Sequence, residues 1–160
     1  LAKKNAERNA VSDQITFAQG DLFEAKTLDR ISLREAIKQQ TFDLICCNPP
    51  YIPSEEIDSL MPEVRGHEPR LALDGGADGL DFYRRLAQDL ASPRERGGRC
   101  LPTAGGRGRL APILLLEIGC EQGKTVGEIF ESAGAARVTI HRDLAGLDRV
   151  AEIEWSITNV

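Results

Sequence analysis

Four consecutive residues, Asn48-Pro49-Pro50-Tyr51, close the apolar run Phe42-Asp43-Leu44-Ile45-Cys46-Cys47, and each suits work on a planar NH2 group. The Asn48 side-chain oxygen can accept one N–H bond. A proline lacks an N–H but keeps its carbonyl, and the Pro49 carbonyl, held in a rigid Pro-Pro turn, can accept the second. Tyr51 offers an aromatic face against which a flat amide or base can stack. Amide nitrogen is a poor nucleophile because its lone pair is delocalised into the carbonyl. Two fixed acceptors align it and favour rehybridisation as it attacks, an orientational and electrostatic effect that needs no metal. For methyl transfer from a sulfonium, positive charge builds on the nitrogen, so such acceptors help most in the transition state. A Pro-Pro pair is also a common chain breaker, and a strand-ending turn is the competing, second reading of the bare tetrapeptide.

The surrounding elements decide where such a turn sits. Phe42–Cys47 suits a strand buried on both faces of a parallel sheet, and Ile113-Leu114-Leu115-Leu116-Glu117-Ile118, ended by Gly119, is the strongest strand pattern in the chain. Gly79 to Ala91 reads as a helix with Leu80, Tyr83, Leu86 and Leu90 at core spacing, and Gly123 to Ala133 as a second with Val126, Ile129 and Phe130 inward. Arg137–His141 and Arg149–Trp155 read as closing strands, joined by a connection at Asp143 to Asp148 short enough for antiparallel neighbours. Earlier, Leu1 to Ala10 is helical, Ser12-Asp13 is a turn, Ile15-Thr16-Phe17-Ala18 alternates as a short strand closed by Gly20-Asp21, and Leu28 to Gln40 is weakly helical. Ile52 to Asp78 is a Pro- and Gly-punctuated loop of a length that is usually functional. Strand and helix alternate, so the fold expected is α/β, with ligands bound outside the carboxyl ends of the strands. Asn48 lies at one such end. The adjacent strands Phe42–Cys47 and Ile113–Ile118 are expected parallel, with Arg149–Trp155 antiparallel beside the second.

The chain of 160 residues is long enough for one compact domain. Its net charge of -5 argues against a dedicated nucleic-acid binder. No apolar run approaches a membrane span, and no signal-peptide pattern opens the chain. The four cysteines, Cys46, Cys47, Cys100 and Cys120, have no zinc-site spacing and read as reduced thiols, with buried packing the expected role of Cys46 or Cys47. His67 has no partner at ligand spacing, so no metal site is expected. Ser92 to Pro112 carries five arginines and five glycines with little apolar content. It reads as a disordered or aberrant insertion.

Together these motifs resemble the class I S-adenosylmethionine-dependent methyltransferases, in which an (Asn/Asp)-Pro-Pro-(Tyr/Phe) motif follows the fourth strand. The chain is most similar to the release-factor glutamine methyltransferases. Asn48-Pro49-Pro50-Tyr51-Ile52-Pro53 matches their active-site loop. Pro62–Arg65 and His67–Leu80, which includes Glu68-Pro69-Arg70, match their substrate-side segment. Leu115–Gly119 and Arg142–Arg149 match their closing elements. The resemblance implies a Rossmann-like class I sheet, mostly parallel with an antiparallel C-terminal hairpin and lacking the first strands. It implies one partial catalytic domain over residues 1–160, with the insertion at 92–112.

By the same resemblance, S-adenosyl-L-methionine is the cofactor, with Asp21, Leu22 and Asn48 beside it. Asn48 and the Pro49 carbonyl hold a glutamine amide, with Pro50 completing the turn and Tyr51 packing over the amide. Glu68 and Arg70 shape the substrate mouth with Glu63, Arg65 and His67, although each of these charges taken singly is better read as a solvated, loop-ordering one. The implied substrate is the glutamine of the Gly-Gly-Gln loop in peptide-chain release factors. The implied protein is a cytoplasmic monomer (mitochondrial or plastid in a eukaryote) that binds neither membrane nor, stably, nucleic acid. A DNA or RNA amino-group methyltransferase, acting on adenine N6 or guanine N2, would use the same four residues on a flipped base. An inactive fragment is the third reading. The chain opens at Leu1 in mid-pattern, and the family's glycine-rich loop and ribose-holding acid cannot be matched in it. Loss of several polar anchors costs roughly a kilocalorie or more each. Calorimetric titration of the 160-residue chain is therefore expected to show weak or no binding of S-adenosylmethionine, and micromolar affinity would refute that expectation.

Overall fold

The computed structural model describes residues 1–17, 43–91 and 113–155. They fall into two units, Leu1–Ala36 and Ile37–Val160. In the first, α1 (Ala2–Arg8) ends at Asn9, whose N–H donates to the Asn5 carbonyl, and Ser12–Gln14 forms a 3-10 turn. Ile15 is extended, but Ile15, Thr16 and Phe17 join no ladder. The alternation read there as a strand finds no strand partner among the described residues. Ala18, Asp21, Leu22 and the helix expected at 28–40 lie outside the described residues, as does 92–112.

The second unit is built on a four-stranded sheet. Its strands are β1 (Leu44–Cys47), β2 (Ile113–Glu117), β3 (Ala135–Arg142) and β4 (Asp148–Trp155), in the order β1-β2-β4-β3. β1 and β2 are parallel, with Leu44 opposite Ile113 and Cys47 opposite Leu116. β4 runs antiparallel to β2, and β3 antiparallel to β4. This is the arrangement expected from the sequence: a parallel pair, then an antiparallel closing hairpin.

The loop expected over Ile52–Asp78 is more regular than its prolines and glycines suggested. It holds a 3-10 turn at Ile57–Ser59 and two single-turn helices, α2 (Pro62–Arg65) and α3 (Arg70–Leu73). Pro62 occupies the first turn of α2, where a missing N–H costs nothing. α4 (Asp81–Leu90) buries Tyr83, Leu86 and Leu90, with Leu80 just before it, and α5 (Gly123–Ser132) buries Val126 and Phe130. Ile129, read as inward, is only half-buried. α5 lies against β3, β4 and α4.

Register explains the core. Leu114 opposes Ile153 and Leu116 opposes Ala151, and all four are essentially inaccessible, with Ile118 and Trp155 on the same face. Side chains alternate across a strand, so Leu44, Cys46 and Ile113 share the opposite face, where Leu44 is 50% exposed. The expectation that the Phe42–Cys47 run is buried on both faces is therefore corrected. β1 ends the described sheet, its pattern alternates exposed and half-buried, and Cys46 is exposed while Cys47 is half-buried. A continuous apolar run records composition, not how many neighbours cover it.

Candidate active site

β1 and β2 are parallel and both deliver their carboxyl ends to the same edge of the sheet, where Asn48 and Gly119 begin the following turns. Asn48 is exposed, Pro49 is buried, and Pro50 and Tyr51 are half-buried. The peptide bonds before both prolines are trans. Among the described residues, neither the Asn48 side chain nor the Pro49 carbonyl has a hydrogen-bond partner. The strand end thus carries one exposed side-chain acceptor, Asn48, and one unpaired backbone acceptor on a buried proline, on a turn whose prolines restrict its φ angles.

Tyr51 is held at both of its ends. Its hydroxyl donates to Glu117 Oε1 at 3.3 Å, and its carbonyl accepts from Gln122 Nε2 at 2.9 Å. Glu117 ends β2 and Gln122 immediately precedes α5, so the two partners flank the turn after β2. Burial raises the Tyr51 phenol above its ordinary value, the Glu117 carboxylate raises it further, and Arg149 pulls the other way. Arg149 also points its guanidinium at Asp143 and the Ile118 carbonyl, each at 3.4 Å. Asp143 in turn accepts the Leu147 and Ala145 N–H groups of the β3–β4 turn, and these lower its carboxyl, the Leu147 bond first. Tyr83, fully buried on α4, donates to the Glu117 carbonyl at 2.7 Å, and burial pushes its phenol well up.

The chain has two tyrosines, and Tyr83 is inaccessible, so the first alkaline titration of tyrosine absorbance reports Tyr51. Glu117→Gln keeps an acceptor but removes the charge that disfavours tyrosinate. It is expected to move that titration to lower pH. An unmoved midpoint would mean that Glu117 does not face the phenol in solution.

The substrate-side segment is fastened to the same turn. Ile52 donates to the Leu73 carbonyl at 3.0 Å and accepts from Gly75 at 2.9 Å, a parallel bridge that also brings Ser54 N–H to the Gly76 carbonyl. Asp74 accepts the Ser54 hydroxyl at 2.6 Å, Gly76 N–H at 3.1 Å and Arg70 Nε at 3.1 Å, and these bonds, the Ser54 hydroxyl foremost, lower its carboxyl. Arg70 also reaches the Ser54 carbonyl and lies 3.8 Å from Asp58. Arg70 thus orders the loop. Arg65 likewise donates to the Asp58 carbonyl, and His67 meets the Glu63 carbonyl. Glu68 is exposed.

Two residues that hold the Tyr51 turn carry no role in the sequence reading. Glu117 lies there inside the Ile113–Ile118 strand and the Leu115–Gly119 family match, and Gln122 lies in no matched segment. Gln122 carried one legible signal: a glutamine at the N-cap of α5, where Ser, Thr, Asp and Asn are preferred, whose side chain does not cap the helix.

With this geometry in place, comparison with known proteins is informative. The release factor glutamine methyltransferase of Geobacter sulfurreducens is 38% identical over 150 residues, covering 94% of this chain and 43% of that protein. That span necessarily includes Asn48 to Tyr51. The chain is homologous to the release factor glutamine methyltransferases. The same-named protein of Bacillus cereus is 36% identical over 159 residues, covering 96% of this chain and 47% of its own length. That of Caulobacter vibrioides reaches 46% over 110 residues, 69% of this chain and 33% of the relative. The chain thus spans less than half the length of these release factor glutamine methyltransferases. A crystal structure of a release-factor-specific protein-(glutamine-N5) methyltransferase from Alicyclobacillus acidocaldarius is 26% identical, covers 78% of this chain and 55% of that one, and aligns with a TM-score of 0.40. No family profile matches the chain. No helix among the described residues is long and apolar enough to cross a membrane.

Proposed function

We propose that the chain supplies the amide-holding half of a methyltransferase acting on the glutamine side chain of the Gly-Gly-Gln loop of peptide-chain release factors. The observation that carries this reading is the unpartnered pair of acceptors among the described residues, Asn48 Oδ1 and the Pro49 carbonyl, at the carboxyl end of β1 in a chain homologous to enzymes of that name. Asn48 takes one N–H of the target amide and the Pro49 carbonyl takes the other. Tyr51 lies against the flat group, with its ring held by Glu117 and its backbone by Gln122. These contacts align the nitrogen and gain strength as it becomes positive, where neutral acceptors in a fixed place are worth most. Glu68 and Arg70 border the mouth through which a protein loop would reach, Arg70 by ordering Ser54 and Asp74.

The methyl donor fitting this chemistry is S-adenosyl-L-methionine, which when bound supplies an electrophilic methyl group. Among the described residues, Asn48 is the expected cofactor neighbour, and its exposed, unpartnered amide leaves room for a donor beside the target nitrogen. No membrane contact or stable nucleic-acid partner is needed for the reading, and a monomer in the cytoplasm or an organelle suits a substrate that works on ribosomes.

Incubation of a full-length protein that carries this chain with labelled S-adenosylmethionine and, in parallel, release factor, DNA or RNA tests the substrate class. Label in release factor that disappears on replacing the glutamine of its Gly-Gly-Gln loop by alanine is the expected result. Label in nucleic acid with none in release factor would leave the amide-holding chemistry standing and remove the substrate.

A further inference from the structure

Gln122 makes an unusual choice for its position. It occupies the N-cap of α5, yet its side chain makes no capping bond. Its Oε1 instead accepts the Gly119 N–H at 2.9 Å, which closes the turn leaving β2. Its Nε2 donates to the Tyr51 carbonyl at 2.9 Å and to the Gly79 carbonyl at 3.4 Å. One side-chain amide thus joins three stretches of chain: the turn after β1, the turn before α4 and the turn after β2. The space around it is closed. A Cβ on Gly79 would stand 2.7 Å from Nε2, and one on Gly75 would stand 2.8 Å from both Tyr51 Cα and Gly79 Cα. Gly79 has φ +75°, a conformation that leaves its carbonyl turned to Gln122 and that other residues adopt with strain.

We infer that Gln122 is the positioning residue of the amide-holding turn. It acts through the Tyr51 and Gly79 carbonyls to set where Asn48 and the Pro49 carbonyl stand. The inference rests on the reading of Asn48-Pro49-Pro50-Tyr51 as that turn. A carboxamide is the side chain that can do this, because it presents an acceptor to an N–H and two donors to two carbonyls at once. A carboxylate of the same shape keeps the Gly119 bond but turns a bare oxygen toward two carbonyls. Aspartate loses the reach to both carbonyls, and the helical backbone at position 122 (φ -93°, ψ -9°) gives its carboxylate no capping bond to α5 in exchange.

Hydrogen exchange on the full chain separates these roles. In the unsubstituted chain, the stretches 48–54 and 74–81 are protected by Ile52 N–H to Leu73, Ser54 N–H to Gly76, Gly75 N–H to Ile52 and Asp81 N–H to Gly75. In both Gln122→Glu and Gln122→Asp, exchange in these stretches is expected to quicken about tenfold or more, while the β3–β4 hairpin keeps its rate. Gln122→Asp is the stricter arm, since it removes both carbonyl bonds, and unchanged exchange within α5 rules out loss of that helix as the cause. Unchanged exchange at 48–54 and 74–81 would overturn the inference. So would an increase no larger than that in the hairpin, which would make Gln122 an ordinary contributor to stability. The readout needs neither methyl donor nor release factor. Failure of the proposed function would appear separately, as absent methyl transfer by unsubstituted protein.

Discussion

In a full-length protein that carries this chain, Asn48→Ala is expected to lower methyl transfer to release factor by about 100-fold or more, with affinity for the methyl donor nearly unchanged. The magnitude follows from the loss of one preorganised polar contact to a charge-developing centre and corresponds to about 2.7 kcal/mol of transition-state stabilisation. The split between turnover and cofactor affinity follows from placement. Asn48 stands exposed at the end of β1 with no partner among the described residues, so its bond is kept for the target amide. Asn48→Asp keeps an acceptor at the same point while adding a charge, and should retain more activity than alanine. Steady-state kinetics with release factor as the varied substrate give the first comparison, and donor titration gives the second. Full activity in Asn48→Ala would remove the assigned mechanism.

The second large effect is on stability. Gly79→Ala is expected to destabilise the fold by roughly 2–4 kcal/mol. Left-handed backbone costs a non-glycine residue about 1–2 kcal/mol. The added Cβ would also sit inside van der Waals contact of the Tyr51 carbonyl oxygen and 2.7 Å from Gln122 Nε2. A backbone oxygen cannot step aside cheaply, so the bond between Gln122 and Tyr51 is strained or broken, adding about 1 kcal/mol. Gly134→Ala is the matched control: Gly134 has φ +98°, but nothing lies within 4 Å of a Cβ built on it. Urea unfolding of both variants isolates the steric part. Equal losses would mean that Gly79 is retained for its φ alone and that the turn is looser than its contacts indicate.

How much of this was legible beforehand differs from element to element, for physical reasons. α4 could be read because Leu80, Tyr83, Leu86 and Leu90 recur at helical spacing, and all four are buried. β2 could be read because five residues of branched apolar character stop at Gly119, and its parallel pairing with β1 followed from the helix between them. The coverage of β1 could not be read. Leu44 and Cys46 are as apolar as Ile45 and Cys47 yet face an exposed side. Whether a face is covered depends on neighbours distant in sequence. The single-turn helices α2 and α3 are too short for periodicity to reveal, although Pro62 marked the start of one.

The site itself divides the same way. Asn48, Pro49, Pro50 and Tyr51 stand out in the sequence because two side chains of distinct chemistry flank a Pro-Pro pair at a strand end. Gln122 was not, because it works through the carbonyls of Tyr51 and Gly79, and a backbone partner leaves no mark in the sequence. Arg70 stood out as a charge near the substrate segment, but its geometry ties it to Asp74, Asp58 and the Ser54 carbonyl.

The most direct measurement of the central claim is tandem mass spectrometry of the Gly-Gly-Gln peptide from release factor, after incubation with S-adenosylmethionine and either a full-length protein that carries this chain or its Asn48→Ala variant. One added methyl group on the glutamine side-chain amide is expected with the unsubstituted full-length protein and a trace with the variant. A methyl group on any other atom of the peptide, or equal methylation by both proteins, would contradict it.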